Sequence, residues 1–299
     1  MANDQMVLHS LLGNHPNTKA LKSGAVSSPL VTFDYFEVKV ANTQFKALVR
    51  DAKYDFGELA MVTFLQARHY GKPYVLLPAT IVGRNQHHTI FYNADRGQLT
   101  ARDLNGKRVG VRAYTQTTGA WVRGFLSEDY GIDLSSVTWV IFEDAHLSEY
   151  RDPKNVERAA EGKSIRQMLL DGEIDAAILG DVAEEGPLKH LIPDHETAGR
   201  EWARKHGGVP INHLAVMRES IVKARPDVVR EVYRVLKESR AAASLPTGAD
   251  DPLRFGIGAI RQSLEQLNAY AVQQKLIPRA FSADELFADA ARILGSDGD

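Results

Sequence analysis

The chain has 299 residues, and its 36 lysines and arginines nearly balance 38 aspartates and glutamates, for a formal net charge of −2. The chain contains no cysteine, which excludes disulfides, thiolate catalysis, iron–sulfur clusters and cysteine-ligated zinc. Hydrophobic residues make up 44% of the chain and no basic block stands out. This composition is typical of an ordinary globular protein and argues against nucleic-acid binding.

The N-terminal twenty residues lack the basic region and the apolar core of a signal peptide. Elsewhere the longest apolar stretches, such as 74–82, are too short to span a bilayer. We therefore expect no membrane insertion and a cytoplasmic location. A periplasmic location is the alternative if a leader was removed.

Short β-branched runs alternate with helical patterns of ten or more residues, which predicts α/β layering around a largely parallel sheet. Strands are predicted at 6–12, 33–40, 54–59, 74–77, 89–92, 108–112, 137–142 and 174–179. Helices are predicted at 42–53, 61–70, 115–130 and 165–170. The charged region 143–163 contains Pro153 and Gly162, so we interpret it as a surface excursion.

The pattern changes after residue 209, where one apolar strand at 212–217 is followed by helices only. Pro226 begins one helix, 257–274 forms another, and Ser282 with Glu285 makes a capping box for the last. The simplest arrangement packs these helices back on the first α/β set. This division predicts two lobes, the first formed by 1–93 plus 209–299 and the second by 94–208.

The sharpest local pattern is a strand that runs through Tyr114 and a threonine-rich turn into a helix at 108–121. The start of a helix presents unpaired backbone N–H groups and a positive dipole end. Together with the hydroxyls of Thr115, Thr117 and Thr118, it would form a receptor for a carboxylate. The alternative is that Thr115 or Thr117 only caps the helix.

A second group of candidates lies at predicted strand ends. Arg84 can form bidentate hydrogen bonds with a carboxylate, and His88 can donate or accept a proton near neutral pH. The alternative is that the segment containing both residues is only a solvated polar loop. Asp181 and Glu58 fall near strand ends where ligands of open α/β sheets bind, but either can be an ordinary cap. No motif with metal-ligand spacing is present, so no metal site is predicted.

Several motifs together resemble the 4,5-dihydroxyphthalate decarboxylase-like family, which has the type II periplasmic-binding-protein fold. The motifs are Tyr-Asp-Phe-Gly-Glu-Leu-Ala at 54–60, Arg-x-x-x-His at 84–88, Asp-Leu-Asn-Gly-Lys-Arg-Val-Gly-Val at 103–111, Tyr-x-x-Thr-x-x-x-Trp-x-Arg-Gly at 114–124, Asp-Gly-Glu-Ile-Asp-Ala at 171–176 and Pro-Ile-Asn-His at 210–213. The resemblance implies two α/β lobes with a ligand cleft between them and C-terminal helices packed on the first lobe. One departure lies at 13–18, where Thr18 matches but the family's acidic residue and arginine are replaced. This departure implies either a substrate other than dihydroxyphthalate or binding without catalysis.

The resemblance implies a cofactor-independent decarboxylase of an aromatic, dihydroxyphthalate-like acid. Arg84, with the hydroxyl and amide groups of 114–118, would hold a carboxylate. His88 or His213 would supply the proton, although a lone histidine on an apolar strand such as His213 is more often a core residue. The residues expected at the substrate's hydroxyls are Asn14, His15 and Glu58.

Two other functions fit the same cleft. One is a non-catalytic solute-binding protein of the ABC-transporter type for a small carboxylate, and the other is an enzyme of menaquinone biosynthesis. No cofactor is expected in any of these. The expected partner is a small-molecule carboxylate, and the sequence allows a homodimer without deciding the oligomeric state.

Overall fold

The computed structural model describes residues 5–248 and 251–299. Its strands are β1 (Met6–Leu11), β2 (Val31–Tyr35), β3 (Phe56–Ala60), β4 (Tyr74–Gly83), β5 (Ile90–Asn93), β6 (Arg108–Val111), β7 (Thr138–Ile141), β8 (Val156–Arg158), β9 (Ala176–Ile178), β10 (Leu188–His190) and β11 (Ile211–Arg218). Its α-helices are α1 (Lys19–Lys22), α2 (Phe45–Asp51), α3 (Met61–His69), α4 (Thr117–Tyr130), α5 (Ile165–Asp171), α6 (His195–Lys205), α7 (Glu219–Ala224), α8 (Pro226–Ala241), α9 (Ile257–Gln273) and α10 (Ala283–Leu294). Within these residues, none of the helices has the length and apolar character needed to cross a bilayer.

The strands form two sheets, ordered β2-β1-β3-β11-β4 and β10-β5-β9-β6-β7-β8. The chain passes from the first sheet to the second between β4 and β5, and returns between α6 and β11. This is an α/β fold with two mixed sheets, as the sequence predicts. Strand β5, which the predicted division assigns to the first lobe, pairs with β9 and β10 of the second sheet.

Both sheets are mixed rather than largely parallel. In the first, β1 runs parallel to β2 and β3, whereas β11 runs antiparallel to β3 and β4. In the second, β5 is antiparallel to both of its neighbours. The antiparallel strands are the two that follow the crossings between sheets, so each enters its sheet against the direction of the βαβ units.

The core is built on large aromatic residues where the elements meet. Trp121 of α4 is fully buried and contacts Trp202 and Tyr270 edge to face at 5.4 and 5.9 Å. The helix α9 approaches α4 closely because residue 124 is glycine, where a Cβ would lie 2.2 Å from the Tyr270 ring. Helices α8 and α10 pack on the first sheet, whereas α9 packs between α10 and α4.

Most predicted elements agree in kind with the structure. Ser282 and Glu285 form the expected reciprocal capping box at the start of α10. The pattern missed α1, β8, β10, α6 and α7, which are short or strongly polar elements. The interpretation of 143–163 as a surface excursion is wrong in part, because His146 and Leu147 are buried.

Candidate functional site

A cavity of about 290 Å³ lies between the two sheets and is lined by residues from both lobes. The lining residues are His15, Val40, Asn42, Phe45, Ala60, Thr63, Val82, Arg84, Arg112, Thr115, Gln116, Thr117, Thr118, His146, Asn212 and His213. An open groove of about 500 Å³ beside α6 is larger but contains none of the predicted site residues. The cavity between the sheets is therefore the candidate functional site.

The sheet order places a histidine on each side of one buried carboxylate. Glu58 lies on β3, between β1 and β11. Its Oε1 accepts from the backbone N–H of Gly13 at 2.6 Å and from Nε2 of His15 at 2.9 Å, in the turn after β1. Its Oε2 accepts from Nδ1 of His213 at 2.7 Å. Residue 213 pairs with residue 60 of β3, so the His213 and Glu58 side chains share one face of the sheet.

The Glu58 carboxylate is completely buried. Burial raises its pKa, but the hydrogen bonds and charges of His15 and His213 outweigh burial and hold that pKa well below its usual range. An ionised carboxylate only accepts hydrogen bonds, so the hydrogens on Nε2 of His15 and Nδ1 of His213 point to Glu58. The second nitrogen of His213, Nε2, is then available to a ligand in the cavity.

Glycine at position 13 is required by this close packing. A Cβ there would lie 2.6 Å from His15 Nε2 and 2.7 Å from Glu58 Oε1. We expect Gly13→Ala to push the imidazole and the carboxylate apart and to lower the free energy of unfolding by about 1–3 kcal/mol, the cost of disturbing hydrogen bonds to a buried charged group. The matched control is Gly258→Ala in α9, where a Cβ meets nothing within 4 Å. Equal free energies of unfolding for the two variants in urea would contradict this packing role.

The starts of α3 and α4 meet at the cavity. The Thr117 hydroxyl accepts from the backbone N–H of Val62 at 3.1 Å, in the first turn of α3. The Thr118 hydroxyl accepts from the Asn212 side-chain amide at 3.2 Å. The N-cap of α4 is Gln116, without a side-chain capping bond, so neither predicted threonine caps its own helix. Two positive helix ends therefore face one small volume.

Arg84 lies on the first crossing between the sheets and lines the cavity. Its Nη1 donates to Asp181 at 2.5 Å, and its buried Nε has no hydrogen-bond partner among the described residues. Nε2 of His88 contacts the other oxygen of Asp181 at 2.6 Å. Neither His88 nor Asp181 lines the cavity. His88 therefore lies outside the cavity in contact with Asp181, and Asp181 accepts from Arg84.

The other predicted residues divide by position. Those that line the cavity are His15, Arg84, Thr115, Thr117, Thr118 and His213. Asn14 is exposed and outside it, and the Thr18 hydroxyl donates to the carbonyl of Gly13 within the turn. Tyr114 is buried behind the cavity, where its hydroxyl donates to the Gln274 carbonyl and its ring packs under Arg123. Thr18 and Tyr114 therefore donate to backbone carbonyls and do not line the cavity.

Two charged or titratable residues that line the cavity were not predicted from the sequence. Arg112 follows β6 and donates to Glu143 at 2.8 Å, and His146 belongs to the region interpreted as a surface excursion. Both follow strands of the parallel part of the second sheet, which is the position at which ligands bind. That rule could have found them. In the described part of the chain, no group of three or more His, Asp or Glu side chains is placed to hold a metal ion.

Comparison with known proteins identifies the family. A family model described as NMT1/THI5 like matches residues 37–152. A 4,5-dihydroxyphthalate decarboxylase of Pseudomonas putida is 31% identical over 223 residues, which cover 68% of this chain and 86% of that protein. The chain belongs to the 4,5-dihydroxyphthalate decarboxylase family. A second member, from Comamonas testosteroni, is 29% identical over 259 residues, covering 80% of this chain and 76% of that protein.

Solved structures place this family member among proteins with the periplasmic-binding-protein fold. The aliphatic sulphonate-binding protein of Escherichia coli superposes with a TM-score of 0.52 at 13% identity, covering 94% of this chain and 77% of that one. A ligand-binding component of an ABC-type import system from Staphylococcus aureus superposes with a TM-score of 0.55 at 10% identity, covering 94% and 96%. These likenesses confirm the predicted fold.

Proposed function

We propose that this protein is a cofactor-independent decarboxylase of an aromatic carboxylic acid, and that 4,5-dihydroxyphthalate, named for both relatives, is its substrate. The observation that carries the proposal is the pairing of His213 with the buried Glu58 in a cavity also lined by Arg84 and Arg112. A decarboxylase needs a fixed carboxylate, a proton donor at the carbon that loses CO₂, and a place for charge on the ring. The cavity contains candidates for each.

The cationic groups would bind the two carboxylates of the acid. Arg84 lies on the crossing between lobes and Arg112 on the second lobe, and both line the cavity. Each already has one carboxylate partner, Asp181 or Glu143, and a guanidinium has further donors to offer. The starts of α3 and α4 add favourable dipoles for a dianion.

His213 would supply the proton. In 4,5-dihydroxyphthalate each hydroxyl is para to one carboxylate, so electron density from that oxygen can reach the carbon that loses CO₂. As the hydroxyl gives its proton to solvent water, Nε2 of protonated His213 transfers its own proton to this ring carbon, forming a C–H bond and a dienone. The C–C bond to the carboxylate then breaks, its electron pair restores the aromatic ring, and the oxygen takes a proton back from water. One proton is consumed, and CO₂ and a dihydroxybenzoate are released.

The direct test is turnover of 4,5-dihydroxyphthalate by the purified full chain without added metal or cofactor. We expect stoichiometric release of CO₂ and a dihydroxybenzoate, measured by headspace analysis and liquid chromatography. Tight binding without CO₂ release would overturn the proposal and favour the solute-binding alternative. Absence of both binding and release would overturn both.

Arg84 gives a prediction for substrate binding. We expect Arg84→Met to raise KM for 4,5-dihydroxyphthalate by about 10- to 100-fold, because a hydrogen bond to a charged group contributes about 1.5–3 kcal/mol. The control is Arg158→Met, since Arg158 pairs with Asp144 at the surface outside the cavity. Steady-state kinetics at fixed ionic strength would measure the effect. An unchanged KM in Arg84→Met would show that this guanidinium does not bind the carboxylate.

A further inference from the structure

His146 is a buried histidine with no role in the proposed decarboxylation. It follows β7 of the second sheet, yet its hydrogen-bond contacts are with residues of the first lobe. Its backbone carbonyl accepts from Arg50 Nε at 2.7 Å, and its ring nitrogen Nδ1 lies 2.8 Å from the Thr63 hydroxyl. The ring lines the cavity and is 9% exposed. The His146 ring therefore forms part of the cavity wall at the place where the two lobes meet.

The His146 ring is neutral at physiological pH. Burial, and then the positive charges around it, lower its pKa to about 3. Those charges belong to Arg112, Lys46, His213 and Arg50. His146 and His213 both contact the ring of Phe45 edge to face, at 5.7 and 5.2 Å. The cavity therefore contains two different imidazoles. That of His213 is hydrogen-bonded to the Glu58 carboxylate, and that of His146 is surrounded by cationic groups.

Thr63 determines which nitrogen of His146 carries the hydrogen. Thr63 is 1% exposed, and within the described residues its hydroxyl has no hydrogen-bond contact apart from Nδ1 of His146. If Nδ1 carried the hydrogen, the hydroxyl proton of Thr63 would be buried without an acceptor, which is costly. Donation from the hydroxyl to Nδ1 satisfies both groups. The hydrogen is then on Nε2, the nitrogen left for the cavity.

We propose that His146 donates a hydrogen bond from Nε2 to a ring oxygen of the bound aromatic acid and thereby selects hydroxylated acids. This inference rests on the proposed function. A neutral donor stabilises charge that develops on the hydroxyl oxygen as its proton leaves, and the cations around it oppose protonation of the ring. A site built to hydrogen-bond a substrate hydroxyl also discriminates against the analogue without it, because the donor is then left unpaired.

The test compares binding of 4,5-dihydroxyphthalate with that of phthalate, which keeps both carboxylates and lacks both hydroxyls. We expect the unmodified protein to prefer the hydroxylated acid by about tenfold in Kd, measured by calorimetry, as one hydrogen bond provides. His146→Gln places an amide nitrogen near the position of Nε2 and should keep part of this preference. His146→Asn reaches only the position of Nδ1 and should lose it, while phthalate still binds.

A spectroscopic measurement tests the same inference without ligand. Long-range ¹H–¹⁵N spectra of the full chain should assign His146 to the neutral form with hydrogen on Nε2, unchanged from pH 8 to pH 5, whereas Thr63→Val should disturb this assignment. Hydrogen on Nδ1, or titration in this range, overturns the inference even if His146→Asn does not fold. Equal affinity for the two acids, or full discrimination by a folded His146→Asn, overturns the inference alone. No binding of either acid overturns the proposed function and this inference with it.

Discussion

Replacing His213 by asparagine is expected to abolish most turnover while preserving the fold. Asparagine places its amide nitrogen near the position of Nδ1, so it can still donate to the Oε2 of Glu58 that His213 contacts at 2.7 Å. It removes Nε2, the atom proposed to transfer the proton. General acid–base groups contribute about 10²- to 10⁴-fold, so we expect kcat to fall by that factor with a smaller change in Kd for the acid. Rapid-mixing kinetics and calorimetry would separate the two quantities.

Two further histidine variants make this assignment falsifiable. His88→Ala tests the other predicted donor, whose ring contacts Asp181 outside the cavity, and should lower kcat far less than His213→Asn. His9→Asn is the matched surface control, because His9 pairs with Asp34 on an exposed face. If His88→Ala stopped CO₂ release while His213→Asn retained it, the proton donor would be His88 and not His213.

The fold was largely predictable because hydrophobic periodicity and local capping chemistry act over short distances. Gly131, for example, ends α4 in a left-handed conformation with φ of 71°, as expected of a helix-terminating glycine. The hydrophobic pattern did not predict α6, because that helix is strongly polar and only its Gly199 and Trp202 are buried. The position of β5 depended on pairing with strands far along the chain. The lobe to which β5 belongs therefore could not be predicted from the local sequence pattern.

Site residues near strand ends could be predicted from the sequence. Residues whose place in the cavity depends on the direction of the side chain could not. Arg84 and the threonines of 115–118 do share one cavity, which the proposed carboxylate receptor requires. Tyr114 lies one residue before the lining segment, yet it points to the protein interior and reaches Gln274. The contact of Glu58 with His15 and His213 joins residues 43 and 155 positions apart. Only the order of β1, β3 and β11 brings them together.

Glu58→Gln is expected to lower kcat/KM by about 10²-fold or more, within the range for loss of acid–base function. Three donors converge on this carboxylate, from Gly13, His15 and His213. A glutamine offers one oxygen and one NH₂ group, so its NH₂ group would face Nδ1 of His213 or crowd the donors of the turn. Facing an NH₂ group, Nδ1 must accept, which places the hydrogen of a neutral ring on Nε2 and removes the support for the imidazolium that transfers the proton.

The same substitution should change stability in a way that depends on pH. The pKa of Glu58 is lower in the folded protein than in the unfolded chain, so its ionisation stabilises the fold fully above the unfolded value of about 4.3 and this contribution is lost as pH falls toward the folded value. Losing an acceptor for buried donors costs about 1–3 kcal/mol. Urea unfolding should therefore show Glu58→Gln less stable than the unmodified protein at pH 7, with the gap narrowing below about pH 4. A gap that widened on acidification would mean that Glu58 is protonated in the folded protein, and His213 would then lack the charged partner on which its role depends.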